Sequence, residues 1–206
     1  MDAPFYVVFA GVNGAGKSTL FQSGLWRNAS MPRSLPRVNP DEILRELGGD
    51  WRSPADQREA GKVALERIER LFAARRSFNQ ETTLTGRLAL RNVARAHALG
   101  YRVFVFYVGV ADERVALRRI AHRVETGGHD VGADAVRRRF HASLRNFSLA
   151  LDQCEQAIAF DNTREFASLA QWSHGALAWW GNPQANGPWL LEAMRDADAW
   201  RSPVTR

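Results

Sequence analysis

The chain opens on an unbroken apolar run, Phe5-Tyr-Val-Val-Phe-Ala10, rich in β-branched and aromatic residues and too short for a buried helix. Such a run predicts a strand covered on both faces. A longer run of the same kind, "YRVFVFYVGV" from Tyr101 to Val110, predicts the clearest strand of the chain. Shorter strands are predicted at Arg37–Asn39, Ser77–Glu81 and Ala157–Phe160. Between them the period changes. From Gln57 to Arg76, the residues Ala60, Val63, Ala64, Ile68, Leu71 and Phe72 recur at helical spacing and share one face. Helices are also predicted over Lys17–Leu25, Asp41–Leu47, Arg87–Leu99 and Asp112–Val124. A last one carries Val136, Phe140, Leu144, Phe147 and Leu151 on its core face. Strands alternating with helices predict an α/β fold of three layers, a mostly parallel sheet flanked by helices.

After Gln171 the pattern fails. Trp172, Trp179, Trp180, Trp189 and Trp200 sit among glycines and prolines, so residues 172–206 are expected to form an irregular extension packed on a domain spanning 1–171. At 206 residues and 45% hydrophobic, the chain can bury one good core. No stretch approaches the length needed to span a bilayer. The N-terminal apolar run follows Asp2 rather than a basic region, which argues against a signal peptide. A lone cysteine, Cys154, leaves no internal disulfide and no cysteine-based zinc site. A cytoplasmic enzyme is the expectation. The net charge of +6 is carried almost wholly by arginine, since Lys17 and Lys62 are the only lysines. Nucleic acid is one partner this suggests, but no aromatic residues interleave with the basic runs. Solvated helix faces, or phosphates of a small substrate, account for the arginines as well, and the expectation is no nucleic acid and no membrane.

Chemistry enters directly behind the first strand. Gly11-Val-Asn-Gly-Ala-Gly16-Lys17-Ser18 fits G-x-x-x-x-G-K-[ST], and a strand before with a helix after makes it a phosphate-binding loop of the P-loop NTPase type. Flexible glycines in a plain turn would not explain Lys17 and Ser18 at that spacing. Backbone N–H groups from Asn13, Gly14, Ala15, Gly16, Lys17, Ser18 and Thr19 are expected to cradle phosphates, where side chains at Gly14 or Gly16 would hold them off. Lys17 should reach the β- and γ-phosphates and Ser18 should ligate Mg²⁺, so the ligand is ATP or GTP with magnesium.

Three further stretches carry polar groups at predicted element ends. In "RVNPDEI", Asn39 can cap a helix, Pro40 suits its first position and Glu42 completes a capping box. Asp41 then reads either as a first-turn carboxylate favouring the helix dipole or as a general base for a substrate hydroxyl. In "NQETTLTG", Glu81, Thr82, Thr83 and Thr85 can orient a polyhydroxylated acceptor, or Thr85 can simply cap the next helix. In "LRRIAHRVETGGHDVGADAVRRRF", Arg119 and Arg123 share a helix face and Gly127-Gly128 break it before Arg137, Arg138 and Arg139. Residues of about 119–139 therefore describe a helical lid that closes cations onto transferring phosphates, against the alternative of a solvated arginine face.

With these stretches in order, the chain resembles a short member of the zeta toxin family of P-loop kinases from about Tyr6 to Thr163, on the loop together with "NPDE", "ETTL" and "GGHDV". The resemblance implies phosphorylation, with ATP and magnesium, of the sugar 3′-hydroxyl of UDP-N-acetylglucosamine, and an epsilon antitoxin as protein partner. By the same resemblance Lys17 is the loop lysine, Asp41 the general base, Glu81 and Thr83 the sugar-binding pair and Arg123 the first lid arginine. The second lid cation is His129 by spacing, or Arg139. An ATP-dependent kinase acting on an alcohol group of a small acceptor is the reading that follows. Its alternatives are a kinase of a nucleoside, nucleotide or polynucleotide end, and a nucleotide-dependent nucleic-acid-binding module.

Overall fold

The computed structural model describes residues 3–27, 31–32, 34–125, 130–181 and 187–195. In chain order the elements are β1 (Phe5–Ala10), α1 (Lys17–Ser23), β2 (Arg37–Val38), α2 (Pro40–Glu46), α3 (Pro54–Ala73), β3 (Phe78–Thr82) and α4 (Arg87–Ala98). They continue with β4 (Arg102–Gly109), α5 (Glu113–Glu125), α6 (Ala133–Ala150), a 3₁₀ turn at Leu151–Gln153, β5 (Gln156–Asp161), β6 (Ala167–Ser173), β7 (Ala176–Trp180) and α7 (Pro188–Arg195).

These strands form one sheet in the order β2-β3-β1-β4-β5-β6-β7, with the first five parallel and the last two antiparallel. Every residue of β1 is buried, as are all but the first of β4, so both faces of the sheet centre are covered by helices. Aromatic residues do much of the covering. Phe9 meets Trp26 edge-on at 5.0 Å and Phe21 at 5.3 Å, while Tyr6, Phe72, Phe78 and Tyr101 form a second cluster. In the parallel register Phe9 lies opposite both Glu81 and Phe106, so β1, β3 and β4 end on the same edge. Chain reversal on either side of β1 opens a crevice at that edge.

Helix boundaries differ from the hydrophobic pattern where caps decide. α3 begins at Pro54, three residues before Gln57, because Ser53 Oγ accepts from the Asp56 N–H (3.2 Å) and Pro54 suits the first turn. α1 stops at Ser23 because Gly24 turns left-handed.

The tail departs furthest from expectation. Position 171 lies inside β6, opposite Ile158, and the stretch read as irregular continues into a hairpin and a helix. His174 and Gly175 both take positive φ (47° and 76°), a two-residue turn matched to the twist of paired strands. Trp172 and Trp189 are buried, whereas Trp179 is 48% exposed. Trp200 lies outside the described residues. Among the described residues no helix is long and apolar enough to cross a membrane.

Candidate functional site

The loop leaves β1 through glycines whose freedom is needed. Gly14 has φ 78°, and a Cβ there would lie 2.5 Å from the Ala116 carbonyl oxygen in α5. Gly16 has φ 104°, and a Cβ would lie 2.3 Å from Asn162 Nδ2, which donates to the Ala15 carbonyl at 2.8 Å. Packing against backbone thus demands glycine at Gly14, while at Gly16 the left-handed φ does, the Asn162 amide being a side-chain tip that can shift. α5, the first helix of the stretch read as a lid, lies directly against this loop. No side chain caps α1, in contrast to α2 and α3.

Lys17 is buried, at 7% exposure, and its Nζ donates to the Val12 carbonyl (3.1 Å) while lying 3.8 Å from Glu81 Oε1. Burial holds its pKa below the ordinary lysine value; the Glu81 and Asp41 carboxylates oppose that shift, and Arg123 and Arg139 add to it. Residues from α2, β3, α5 and α6 therefore converge electrostatically on one ammonium group. Ser18 Oγ donates to Glu81, at 2.9–3.0 Å from both carboxylate oxygens. Glu81 also accepts from Arg37 Nη2 and from Asn39 Nδ2 (3.3 Å).

Arg37 is the hub that sequence reasoning missed. Its Nε donates to Glu42 Oε1 (2.8 Å), its Nη1 to Asn79 Oδ1 (3.1 Å), and its guanidinium stacks 3.8 Å above the Phe21 ring. The one available signal is an arginine beginning the short predicted strand. Asn39 Oδ1 caps α2 by accepting from the Asp41 N–H at 3.0 Å. Glu42 does not turn back as a capping box would; its carboxylate goes to Arg37 and to Asn39 Nδ2 (3.2 Å). Asp41 is exposed at the mouth of this network.

After β3 the chain is bolted to α6. Thr83 and Thr85 hydroxyls pair at 2.9 Å, so Thr85 is not the cap of α4, a place taken by Gly86. Ser143 Oγ donates to the Thr83 carbonyl (2.7 Å), and Asn146 Nδ2 to that of Leu84 (2.8 Å). Fully buried Leu84 is held at φ 55°, uncommon backbone for a non-glycine residue. From α6, Arg139 Nη1 reaches Asn13 Oδ1 in the loop at 3.0 Å, while Arg137 and Arg138 stay exposed. Arg139 is thus the described α6 cation at the loop; Gly127, Gly128 and His129 lie outside the described residues.

Beyond β5, Asn162 and Thr163 form another wall that sequence reasoning missed. Arg119 Nη2 donates to the Thr163 carbonyl (3.3 Å), and a cavity of about 360 Å³ is lined by Val115, Arg118, Arg119, His122 and Thr163. Two of its lining residues are chain neighbours of loop contacts: Val115 precedes Ala116, whose carbonyl abuts Gly14, and Thr163 follows Asn162, which binds Ala15. Among the described residues no three His, Cys, Asp or Glu side chains cluster to cage a metal. The Ser18 hydroxyl and Glu81 carboxylate nevertheless fit Mg²⁺, which takes one or two protein oxygens and fills its octahedron with phosphates and water.

A parallel sheet in the order β2-β3-β1-β4-β5, with a glycine-rich loop behind its central strand, defines a P-loop kinase-like fold. The chain belongs to the AAA domain family, whose model matches residues 7–150. An uncharacterised protein of Haemophilus influenzae is 28% identical over 134 residues, covering 65% of this chain and 91% of that one. Among solved structures, the AvrRxo1-ORF1:-ORF2 complex superposes with a TM-score of 0.68 at 17% identity, covering 94% of this chain. The same complex with ATP gives 0.67 at 17% identity over 99% of this chain. In both, this chain spans 66% of the length of its counterpart. The PezAT chromosomal toxin–antitoxin system of Streptococcus pneumoniae gives 0.56 at 16% identity, over 81% of this chain and 72% of that one. These structural likenesses are likenesses of fold.

Proposed function

We propose that the protein is a kinase that moves the γ-phosphoryl group of ATP to a hydroxyl of a small acceptor, with magnesium. The observation that carries this reading is the gathering of Lys17, Ser18, Glu81 and Arg139 about the glycine-rich loop at one edge of the sheet, with Asp41 and Arg123 within electrostatic reach of Lys17. In this reading the backbone from Asn13 to Thr19 holds the β- and γ-phosphates, and Lys17 neutralises them. The cavity beside Arg119 and Thr163 takes the nucleotide base. Ser18 and Glu81 would hold the Mg²⁺ ion, which supplies charge neutralisation to the phosphates when bound. Asp41 accepts the proton of the acceptor hydroxyl as that oxygen bonds to the γ-phosphorus. The bond from the γ-phosphorus to the bridging oxygen breaks, and its electron pair leaves with ADP. Arg123 and Arg139 would stabilise the charge that spreads over the transferring group.

For the acceptor, the proposal is a sugar nucleotide such as UDP-N-acetylglucosamine. Both oxygens of Glu81 are engaged by Ser18, Arg37 and Asn39, which supports a metal-side role beside the sugar contact expected from sequence. The Thr83–Thr85 hydroxyl pair and exposed Asp41 are left to meet sugar hydroxyls. A protein antitoxin and a cytoplasmic setting belong to the same reading; the AvrRxo1 and PezAT neighbours, described as a two-component complex and a toxin–antitoxin system, support the partner.

The test offers γ-labelled ATP with UDP-N-acetylglucosamine, plain nucleosides and a 5′-hydroxyl oligonucleotide in parallel. Label should pass to the sugar nucleotide and fail to pass in Lys17→Ala. Label on the nucleoside or oligonucleotide alone would remove the sugar assignment. Transfer to none of the three would remove the sugar-nucleotide assignment and leave the kinase with another acceptor, whereas unchanged turnover in Lys17→Ala would remove the kinase reading itself.

A further inference from the structure

The C-terminal helix reaches this edge of the sheet although it belongs to none of the motifs and lies beyond the family match, which ends at residue 150. Trp189 in α7 is 4% exposed, and its indole occupies the space a side chain at Gly109 would need: a Cβ there would lie 2.2 Å from Cζ2. Its ring packs 5.9 Å from that of Tyr107. Packing alone would be served by any large apolar ring. The indole N–H does something more, donating to Asp161 Oδ1 at 2.8 Å.

Asp161 is 5% exposed at the end of β5, and a carboxylate so buried depends on its donors. The Thr163 N–H supplies one to Oδ2 (2.9 Å), the Thr163 hydroxyl a second to Oδ1 (2.7 Å) and Trp189 a third. These bonds wind Asp161–Thr163 into a turn, which Thr163 Oγ1 also ties to the chain after β4 by accepting from the Ala111 N–H (2.8 Å). The turn in turn presents two groups to the site. Asn162 holds the Ala15 carbonyl of the loop, and Thr163 walls the cavity while its carbonyl accepts from Arg119.

We propose that Trp189 is a positioning residue for the nucleotide, acting through Asp161 on the Asn162–Thr163 turn, so that the C-terminal helix is a strap across the back of the ATP site. This rests on the nucleotide-binding reading above. Neither Trp189 nor Asp161 touches the reacting atoms, so the effect belongs to ATP affinity and not to the chemical step.

Trp189→Phe keeps an aromatic ring, smaller than the indole, and removes the donor. Its ATP Kd, by calorimetry, should weaken about tenfold, the scale of one lost charge-assisted hydrogen bond, with kcat at saturating ATP unchanged. Amide exchange at Thr163 and Ala111 should quicken in the free protein. A double-mutant cycle with Thr163→Val should be non-additive, because both act through one carboxylate. A lower melting temperature with wild-type Kd would reduce Trp189 to packing and overturn the proposal, as would a fall in kcat with Kd unchanged. Should Trp189→Phe not fold, Asp161→Asn, which leaves the indole in place, must weaken ATP binding similarly or the proposal fails. A wild-type protein that binds no ATP would instead overturn the nucleotide reading, and this proposal with it.

Discussion

Asn39, not Asp41, carries the cap of α2, and that division of labour separates two roles that adjacent residues left entangled. The hydrogen bond is made by the Asp41 backbone N–H to Asn39 Oδ1, while the exposed Asp41 carboxylate is within electrostatic reach of the Lys17 ammonium. Asp41→Asn should therefore leave the melting temperature nearly unchanged and ATP affinity intact, and slow phosphoryl transfer by about 10²–10⁴-fold, the usual worth of a positioned base. Steady-state kinetics beside a thermal melt decide it: a collapse in ATP affinity would make the carboxylate a metal ligand, and a loss confined to stability would make it a dipole partner. Lys17 and Ser18 were legible as candidates because their spacing within the loop is local, and Asp41 because it follows a short predicted strand. Arg37 was not, since the carboxylate that gives it meaning, Glu81, lies 44 residues further along and becomes its neighbour only when β2 pairs with β3.

Elements hold the loop from outside as firmly as its own glycines shape it. The α5 backbone at Ala116 abuts Gly14 and cannot swing aside as a side-chain tip would. Gly14→Ala should cost about 1–3 kcal/mol, from left-handed strain and that clash together. At roughly 2–4 °C per kcal/mol for a chain of this size, the loss is visible in a thermal melt, and phosphoryl transfer should fall with it. Gly61→Ala is the control: it lies inside α3 with nothing within 4 Å of its added Cβ, and should stabilise by about 0.5–1 kcal/mol. Equal melting temperatures in the two variants would mean that α5 is not seated on the loop. The same scale shows where periodicity stops informing. β1 and β4 were plain because they are apolar throughout, whereas β6 and β7 mix alanine, serine and glutamine with tryptophan, and their hairpin depends on positive φ at His174 and Gly175. Of the tryptophans that looked like an irregular tail, Trp172, Trp179 and Trp180 are inward and outward positions of paired strands and Trp189 is an anchor in α7.

Across the whole molecule, alternating strands and helices conveyed the layered class, but not the addition of β6 and β7 beyond β5 or of α7 against the ends of β4 and β5. That wider assembly matters because the proposed nucleotide seat draws on the loop after β1, on α2, β3, α5 and α6, and on the turn after β5. A ligand touching so many elements should stabilise all of them together. At a concentration 100-fold above its Kd, Mg·ATP should add about 2.7 kcal/mol, a rise in melting temperature of roughly 5–11 °C, and Lys17→Ala should stay folded without the rise. The pH dependence follows from Lys17. Burial lowers its folded pKa below 10.5, so between that lowered value and 10.5 the unfolded chain holds more protons, and the free protein gains stability from this group as pH rises. Triphosphate favours the charged ammonium and pulls the pKa back up, so binding takes up a proton in the same window. The ATP-induced rise in melting temperature should therefore shrink on the alkaline side, starting below the ordinary lysine range. Lys17→Arg, which cannot lose its charge there, should bind ATP with no such decline. A rise that persists undiminished past pH 10.5 in the wild type would mean that Lys17 does not face the phosphates.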